Sequence, residues 1–288
     1  MTRFFVYRFV FLASLLIPFK LQANLEMADS QLRLYVLECG YMDMSGWPYF
    51  EEMYGVPHNA VEIPAQVNPC FLILNGDKSL IWDGGLPDHT PVSPSPGPHG
   101  VIVSMPVKLN DQLAAIGISP ETINYFALSH LHFDHLGNWN YFKTSQVIVQ
   151  ELEWKAANSK NQKDQLGYDT NITESLASLD NLLLINGDYD VFGDGSVMLI
   201  TAPGHTSGSQ FIVIKLRDFG PVIISGDVIH FREELEHGVV PKFNIDAEES
   251  RNSIQKIIDY TEKLDGELWI QHDPVQHKQR MISPQFYQ

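Results

Sequence analysis

Four side chains of types that bind metal ions lie within six consecutive positions: His130, His132, Asp134 and His135 form the motif HxHxDH. The motif follows the apolar segment INYFAL at 123–128, which has the composition of a β-strand. Imidazoles held this close together repel one another when they are protonated, whereas a shared cation holds them together. The spacing therefore predicts a metal site at the end of a strand.

Three further residues of ligand type occupy the same kind of position. His205 follows the apolar segment SVMLIT in the turn APGHT, Asp227 follows PVII in the turn SGD, and His272 follows ELWIQ. If the ends of these strands lie along one edge of the sheets, the side chains converge there, and the strands fix their positions. We therefore treat all seven residues as one predicted site.

The ligand types indicate hydrolytic chemistry. Histidine nitrogens and carboxylate oxygens suit zinc, which we expect here, but they are also compatible with manganese, iron or cobalt. If the site holds two neighbouring divalent ions, they lower the pKa of bound water, so that a bridging hydroxide forms at neutral pH and attacks a carbonyl carbon or a phosphorus. Asp134 can then carry a proton to the leaving group. No GxSxG motif is present, and this chemistry needs no serine or cysteine nucleophile.

The elements that must position these residues alternate between strands and helices. We predict strands at 32–38, 70–74, 79–82, 123–128, 146–149, 196–201, 210–216, 221–224 and 267–271, and helices near 110–116, 151–163 and 247–263. Strand-rich halves that are each followed by helices predict an α/β fold with two sheets packed face to face.

Two segments are predicted to be long loops. Residues 87–100 carry prolines and glycines too densely for any regular element, and residues 40–58 are rich in Met, Tyr and Trp without a clear period. Long loops of this kind either cover a functional site or pack on their own side chains. The segment 40–58 is a candidate wall for an apolar groove, although such residues also serve a core.

The motifs together resemble the metallo-β-lactamase superfamily. The HxHxDH motif, the PGHT turn, the SGD turn and the final His272 carry this resemblance, which covers most of residues 32–275. It implies a four-layer αββα sandwich, formed by a single domain over 24–288, with a two-metal site at one edge. It also implies two sets of ligands joined by one bridge: His130, His132 and His205 for one metal, Asp134, His135 and His272 for the other, and Asp227 between them.

Asp83 matches a further position of that family. It lies in the sequence WDGG, where the resemblance implies an aspartate that supports the metal ligands from behind. The alternative is that Asp83 is only a turn carboxylate.

The residues in and around these motifs are similar to those of the N-acyl homoserine lactonase branch. WDGGLPD, LSHLHFDHLGN, APGHTSGSQ and SGDVIHF carry this similarity. It implies opening of the lactone ring of acylated homoserine lactones, the reaction called quorum quenching, with a small molecule as the partner. The β-lactamase branch lacks the bridging carboxylate that Asp227 supplies. Two alternatives stay open: a two-metal hydrolase of the same fold for other lactones, β-lactams or organophosphate triesters, and a non-catalytic periplasmic metal-binding protein.

One position departs from that branch. Lactonases of this kind commonly have a tyrosine three residues after the bridging aspartate, where it bonds the substrate carbonyl, but this chain has His230. We expect His230 to donate a hydrogen bond to the oxyanion instead. The alternative is that His230 merely lines the pocket.

The N-terminus has the pattern of a signal peptide over residues 1–23. Arg3 and Arg8 precede an apolar run at 9–19, which is too short to span a bilayer comfortably, and Ala23 ends the pattern with a small residue. We expect a periplasmic or secreted protein without stable membrane association after cleavage; the alternative is an uncleaved anchor. The oxidising compartment would allow Cys39 and Cys70 to pair, but buried free thiols are equally compatible with the sequence.

The charge of the chain bears on its partners. The formal net charge is −16 over 288 residues. Binding to nucleic acid needs a basic face that neutralises phosphates, so this charge disfavours a nucleic-acid partner.

Overall fold

The computed structural model describes residues 32–160 and 167–288. The predicted signal peptide and the last residues of the helix predicted over 151–163 lie outside the described residues. Within the described ranges, no helix combines the length and the apolar character that crossing a membrane requires.

The first sheet has eight strands. They are β1 (Arg33–Asp43), β2 (Ala65–Asn75), β3 (Lys78–Trp82), β4 (Ser95–Pro96), β5 (Ile102–Ser104), β6 (Tyr125–Ala127), β7 (Gln146–Gln150) and β8 (Leu182–Ile185). Their order is β4-β5-β1-β2-β3-β6-β7-β8. The strands from β4 to β3 pair antiparallel, and those from β3 to β8 pair parallel.

The second sheet has five strands: β9 (Tyr189–Asp190), β10 (Val197–Thr201), β11 (Gln210–Lys215), β12 (Pro221–Ile224) and β13 (Glu267–Trp269). They lie in the order β13-β12-β11-β10-β9, with only the β12–β13 pair parallel. The two sheets pack face to face, because one buried cluster contains Phe71 and Trp82 from the first sheet and Leu199, Ile212 and Ile224 from the second. Both inner faces are therefore covered.

The α-helices of the described residues are α1 (Phe50–Tyr54), α2 (Leu109–Ala115), α3 (Glu151–Ala157), α4 (Thr170–Ala177), α5 (Arg232–His237), α6 (Ala247–Leu264) and α7 (Pro274–His277). Several of them cover the outer faces of the two sheets. Leu113 of α2 and Leu176 of α4 share a cluster with Phe126 of the first sheet. Ile257 of α6 packs with Ile223 of the second sheet. The predicted four-layer αββα sandwich is confirmed.

The predicted loops are partly wrong. In the segment 40–58, β1 continues to Asp43 and α1 forms at Phe50–Tyr54. The segment 87–100, predicted without any regular element, contains the two-residue β4. Because β4 is an edge strand, the missing N–H of Pro96 breaks no ladder inside the sheet. The α-helix predicted over 151–163 ends at Ala157.

Cys39 and Cys70 form a disulfide that joins β1 and β2, with their Cα atoms 5.7 Å apart. Cys39 of this disulfide packs against Gly85, whose φ is +62°. A Cβ at Gly85 would lie 2.2 Å from the Cβ of Cys39, so only glycine fits there. The disulfide thus packs against the turn that carries Asp83.

Candidate dinuclear metal centre

The predicted ligands lie at one rim, because each follows the end of a strand. The HxHxDH turn follows β6, His205 follows β10, Asp227 follows β12 and His272 follows β13. The structure brings all seven together in two sets. The first ligand group is His130, His132, His205 and Asp227, and the second ligand group is Asp134, His135 and His272; within each group the ligand atoms lie within 4.8 Å of one another.

Asp227 faces both groups. Its Oδ1 lies 2.8 Å from Nε2 of His272 and 3.0 Å from Nε2 of His135. Its Oδ2 lies 3.3 Å from Nε2 of His205 and 3.7 Å from Nε2 of His130. One carboxylate oxygen thus points to each group, which is the geometry of a bridge between two cations.

In the second ligand group, the hydrogen bonds of the two histidines decide which ring nitrogen can bind a cation. Nδ1 of His135 lies 2.8 Å from Oδ2 of Asp83, and Nδ1 of His272 lies 2.7 Å from the carbonyl oxygen of Val67. Both partners are acceptors, so each Nδ1 carries a hydrogen and each Nε2 is the atom left to face a cation. The two Nε2 atoms face each other at 3.1 Å. Burial lowers the pKa of His135, but the charges of Asp227 and Asp83 outweigh it and raise that pKa well above the ordinary value, so a cation bound between the two Nε2 atoms would displace a proton.

In the first ligand group, too, ring nitrogens of the histidines lie close together. Nδ1 of His205 faces Oδ1 of Asn244 at 3.0 Å, and the amide of Asn244 donates to Ser250 Oγ. Nε2 of His205 is 3.1 Å from both Nε2 of His130 and Nδ1 of His132. Burial lowers the pKa of His205 and of His130 well below the ordinary value. Neutral imidazoles converge here, and neutral imidazole is the form that binds metal.

Asp83 lies behind the second ligand group and is fully buried. Besides its contact with His135, its Oδ1 accepts from the backbone N–H of Ser129 at 2.7 Å, and its Oδ2 accepts from Nε2 of Gln271 at 2.7 Å. Asp83 therefore ties the turn before the HxHxDH motif to the residue before His272. Asp83 would support the metal ligands through these contacts.

Sequence reasoning missed the residues that hold the ligands in place. Asn68 of β2 donates to Oδ2 of Asp134 at 3.0 Å. Asn244 orients His205, and the buried Glu153 contacts the turns of the first ligand group. None of the three left a signal in the sequence, because each is a single polar residue whose burial and partners depend on how the elements pack.

His230 is buried between two carboxylates. Its Nε2 lies 3.2 Å from Oδ2 of Asp227, and its Nδ1 lies 3.3 Å from Oε1 of Glu234. Burial alone would lower the pKa of His230, but the charges of Glu234 and Asp227 outweigh it and raise that pKa to about 10. The structure thus places His230 directly at the metal centre, where it has the charge of a hydrogen-bond donor.

An apolar cavity of about 310 Å³ opens beside the centre. Both segments predicted as loops contribute to its wall, with Met42, Met44, Trp47 and Tyr54 from the first and Pro98 and His99 from the second. The rest of the lining is Gln66, Val101, Val103 and Phe133. Phe133 lies within the HxHxDH motif, and the ring of Tyr54 is 5.6 Å from that of His230. The cavity therefore adjoins the ligands. Tyr54 also belongs to a buried cluster with Phe50 and Phe231. The segment 40–58 therefore both lines the apolar cavity and contributes to a core.

Comparisons with known proteins agree with this geometry. The N-acyl homoserine lactonase AttM of Rhizobium radiobacter is 28% identical over 271 residues, which cover 90% of this chain and 99% of that relative. An N-acyl homoserine lactonase of a Bacillus species is 28% identical over 225 residues, covering 75% and 85% of the two chains. A solved quorum-quenching N-acyl homoserine lactone lactonase matches at 25% identity with a TM-score of 0.70, covering 89% of this chain and 98% of its own. The sequence model of the metallo-beta-lactamase superfamily matches residues 64–264, and the chain belongs to that superfamily.

Proposed function

We propose that this protein is a dinuclear-metal hydrolase that opens the lactone ring of N-acyl homoserine lactones. The observation that carries the proposal is the position of Asp227 between two ligand groups, beside an apolar cavity. The named activity of the relatives from Rhizobium radiobacter and Bacillus supports this choice of substrate.

The cavity suits the acyl chain of such a substrate. Its lining is almost entirely apolar and includes Met42, Met44, Trp47, Val101 and Val103. Burying each methylene of the acyl chain contributes about 0.8 kcal/mol. The polar lactone ring would then project from the cavity toward the metal ligands, because Phe133 and Tyr54 join the cavity to the centre.

In this proposal, His130, His132 and His205 hold one divalent ion, Asp134, His135 and His272 hold the other, and Asp227 bridges them. Two divalent ions held by these residues would supply a water molecule of lowered pKa and a Lewis acid for the carbonyl oxygen of the lactone. We take both to be zinc, and elemental analysis of the purified protein distinguishes zinc from manganese, iron and cobalt.

Asp134 transfers the proton in this proposal, and His230 donates a hydrogen bond. Asp134, whose Oδ2 is held by Asn68, accepts the proton of the attacking water and passes it to the ring oxygen as the C–O bond breaks. The products are a carboxylate and an alcohol on one open chain. His230 faces the centre beside Asp227 and donates a hydrogen bond to the oxyanion that develops on the carbonyl.

We also infer a periplasmic or secreted location. The signal-peptide pattern of residues 1–23 supports it, and so does the disulfide between Cys39 and Cys70, because such bonds persist in oxidising compartments. Cell fractionation with N-terminal sequencing of the recovered protein tests this inference. Recovery of an unprocessed protein in the cytosolic fraction would contradict it.

The substrate proposal is tested with purified, zinc-loaded protein and a panel of compounds. The panel contains N-hexanoyl and N-decanoyl homoserine lactone, nitrocefin and paraoxon, with acid release or chromophore followed over time. We expect turnover of the lactones alone, and a product heavier by one water in mass spectrometry. Turnover confined to nitrocefin or paraoxon would reassign the substrate class, and no turnover by protein with two bound ions would favour a metal-binding role.

A further inference from the structure

Each ligand group has its own buried carboxylate behind it. Asp83 contacts the second ligand group through His135. Behind the first ligand group lies Glu153 of α3, whose relative exposure is 0%. In residues 32–160 and 167–288, no lysine or arginine forms an ion pair with Glu153. Its carboxylate is therefore satisfied by hydrogen bonds alone, and the identity of the donors shows what it holds.

The donors come from two turns. Oε1 of Glu153 accepts from the backbone N–H of Leu131 at 2.8 Å. Oε2 accepts from Oγ1 of Thr206 at 2.6 Å and from the backbone N–H of Gly208 at 3.1 Å. Leu131 lies between two histidines of the first ligand group, and Thr206 directly follows the third. A single side chain thus fixes the two turns that carry all three histidines.

The packing around Glu153 leaves little freedom for these turns to shift. A Cβ on Gly208 would lie 2.3 Å from the backbone N and 2.4 Å from the Cβ of Glu153, so the second turn rests directly on α3. Oγ1 of Thr206 also bonds Oγ of Ser209 at 2.7 Å, which closes that turn on itself. The carboxylate therefore joins the two turns directly, beside the backbone bond from the N–H of Gln210 to the carbonyl oxygen of Ser129 at 3.0 Å.

We propose that Glu153 is a positioning residue that sets the metal affinity of the first ligand group and leaves that of the second largely unchanged. Partners behind metal ligands typically change affinity by about 10- to 100-fold when they are removed. Glu153 contacts the HxHxDH turn at Leu131, between the two histidines that this turn gives to the first ligand group, whereas Asp83 and Asn68 contact His135 and Asp134 of the second. The two groups should accordingly respond to different substitutions.

The test measures metal binding directly, with zinc as the probe. Glu153→Gln keeps the volume of the side chain but turns an N–H₂ group toward one set of donors. In titrations of the metal-free protein against a competing chelator, we expect one equivalent with wild-type affinity and a second weakened about 10- to 100-fold. Anomalous diffraction from crystals grown with one equivalent of zinc should place it between Asp134, His135 and His272. The matched control is Glu233→Gln, a buried glutamate that bonds Arg232, and both affinities should stay unchanged.

Two results would overturn the assignment. One is wild-type affinity for both equivalents, and the other is an equal loss at both sites, which a merely structural glutamate would give. If Glu153→Gln does not fold, Thr206→Val removes one of the three donors and should weaken the same site by a smaller factor; unchanged affinities in that variant would count against the proposal. The inference rests on the dinuclear centre of the proposed function but uses no substrate, so it and the lactone assignment can fail separately.

Discussion

Nε2 of His230 lies 3.2 Å from Oδ2 of Asp227, the carboxylate oxygen that points to the first ligand group. The residue that stands where the lactonase branch commonly has tyrosine is therefore in contact with the proposed bridge. Glu234, four residues later on α5, lies on the other side of the ring, with its Oε1 3.3 Å from Nδ1. Two carboxylates thus flank His230 and favour its protonated form, while neither ring nitrogen makes a hydrogen bond within the described residues, so Nε2 is available to a substrate oxygen.

Replacement of His230 by alanine should slow turnover without emptying the centre. Removing one donor to a developing oxyanion costs on the order of 100-fold in kcat. We expect a loss of this size with N-hexanoyl homoserine lactone, with the zinc content unchanged, measured by steady-state kinetics and elemental analysis. Unchanged turnover would mean that His230 only lines the pocket.

Asp227→Asn should lower both metal content and rate. The amide has one oxygen and one N–H₂ group, so it can no longer offer an oxygen to each ligand group. We expect fewer than two zinc ions per chain and a fall in kcat/KM of at least about 100-fold. Asp190→Asn is a suitable control, because the carboxylate of Asp190 accepts hydrogen bonds from the backbone N–H groups of Gly193 and Gly195 in a turn of the second sheet. Two tightly bound zinc ions in Asp227→Asn would exclude the bridge.

The ligands could be predicted from the sequence because each follows an apolar strand, and neighbouring strands end at one rim. His205, Asp227 and His272 lie far apart in the chain, but the strand before each one left a readable pattern. Helix α5 left none, since REELEH contains a single apolar residue, and it was missed. The edge strand β8 was missed as well, because four apolar residues alone do not separate a strand from a buried helix segment.

The supports of the ligands could not be predicted. Glu153 and Thr206 are 53 positions apart, and His205 and Asn244 are 39 apart. Each is a single polar residue with no repeated spacing, so its partner is decided by how α3 and the loops pack on the sheets. Pairing of Cys39 with Cys70 likewise depended on β1 and β2 being neighbours, which the spacing of the cysteines does not reveal.

Narrowing the cavity should discriminate between acyl chains. Val101 is half-buried in the cavity wall and lies outside any strand, so Val101→Trp can fill space without breaking a ladder. Displacing about two methylenes of a long chain costs about 1.6 kcal/mol, or about 15-fold in KM. We expect that increase for N-decanoyl homoserine lactone and little change for the N-butanoyl compound. Val92→Trp, at an exposed position earlier in the chain, is the control. An equal effect on both chain lengths would place the acyl chain elsewhere.

We expect His277 to lower the stability of the fold at acidic pH, and the variant His277→Gln tests this. Burial, and then the charge of Arg280, lower the pKa of His277 to about 4, below the ordinary value of 6.5. As the pH falls through this interval, the unfolded chain takes up a proton that the folded chain cannot, so stability is lost. Between pH 7.5 and pH 4.5 the loss amounts to about 2.5 kcal/mol. We therefore expect the unfolding free energy of wild type, relative to His277→Gln, to fall by about this amount in urea titrations of metal-free protein. Because the ligand histidines titrate alike in both proteins, their contribution cancels, and a difference that stays constant with pH would show that His277 is not held neutral by the fold.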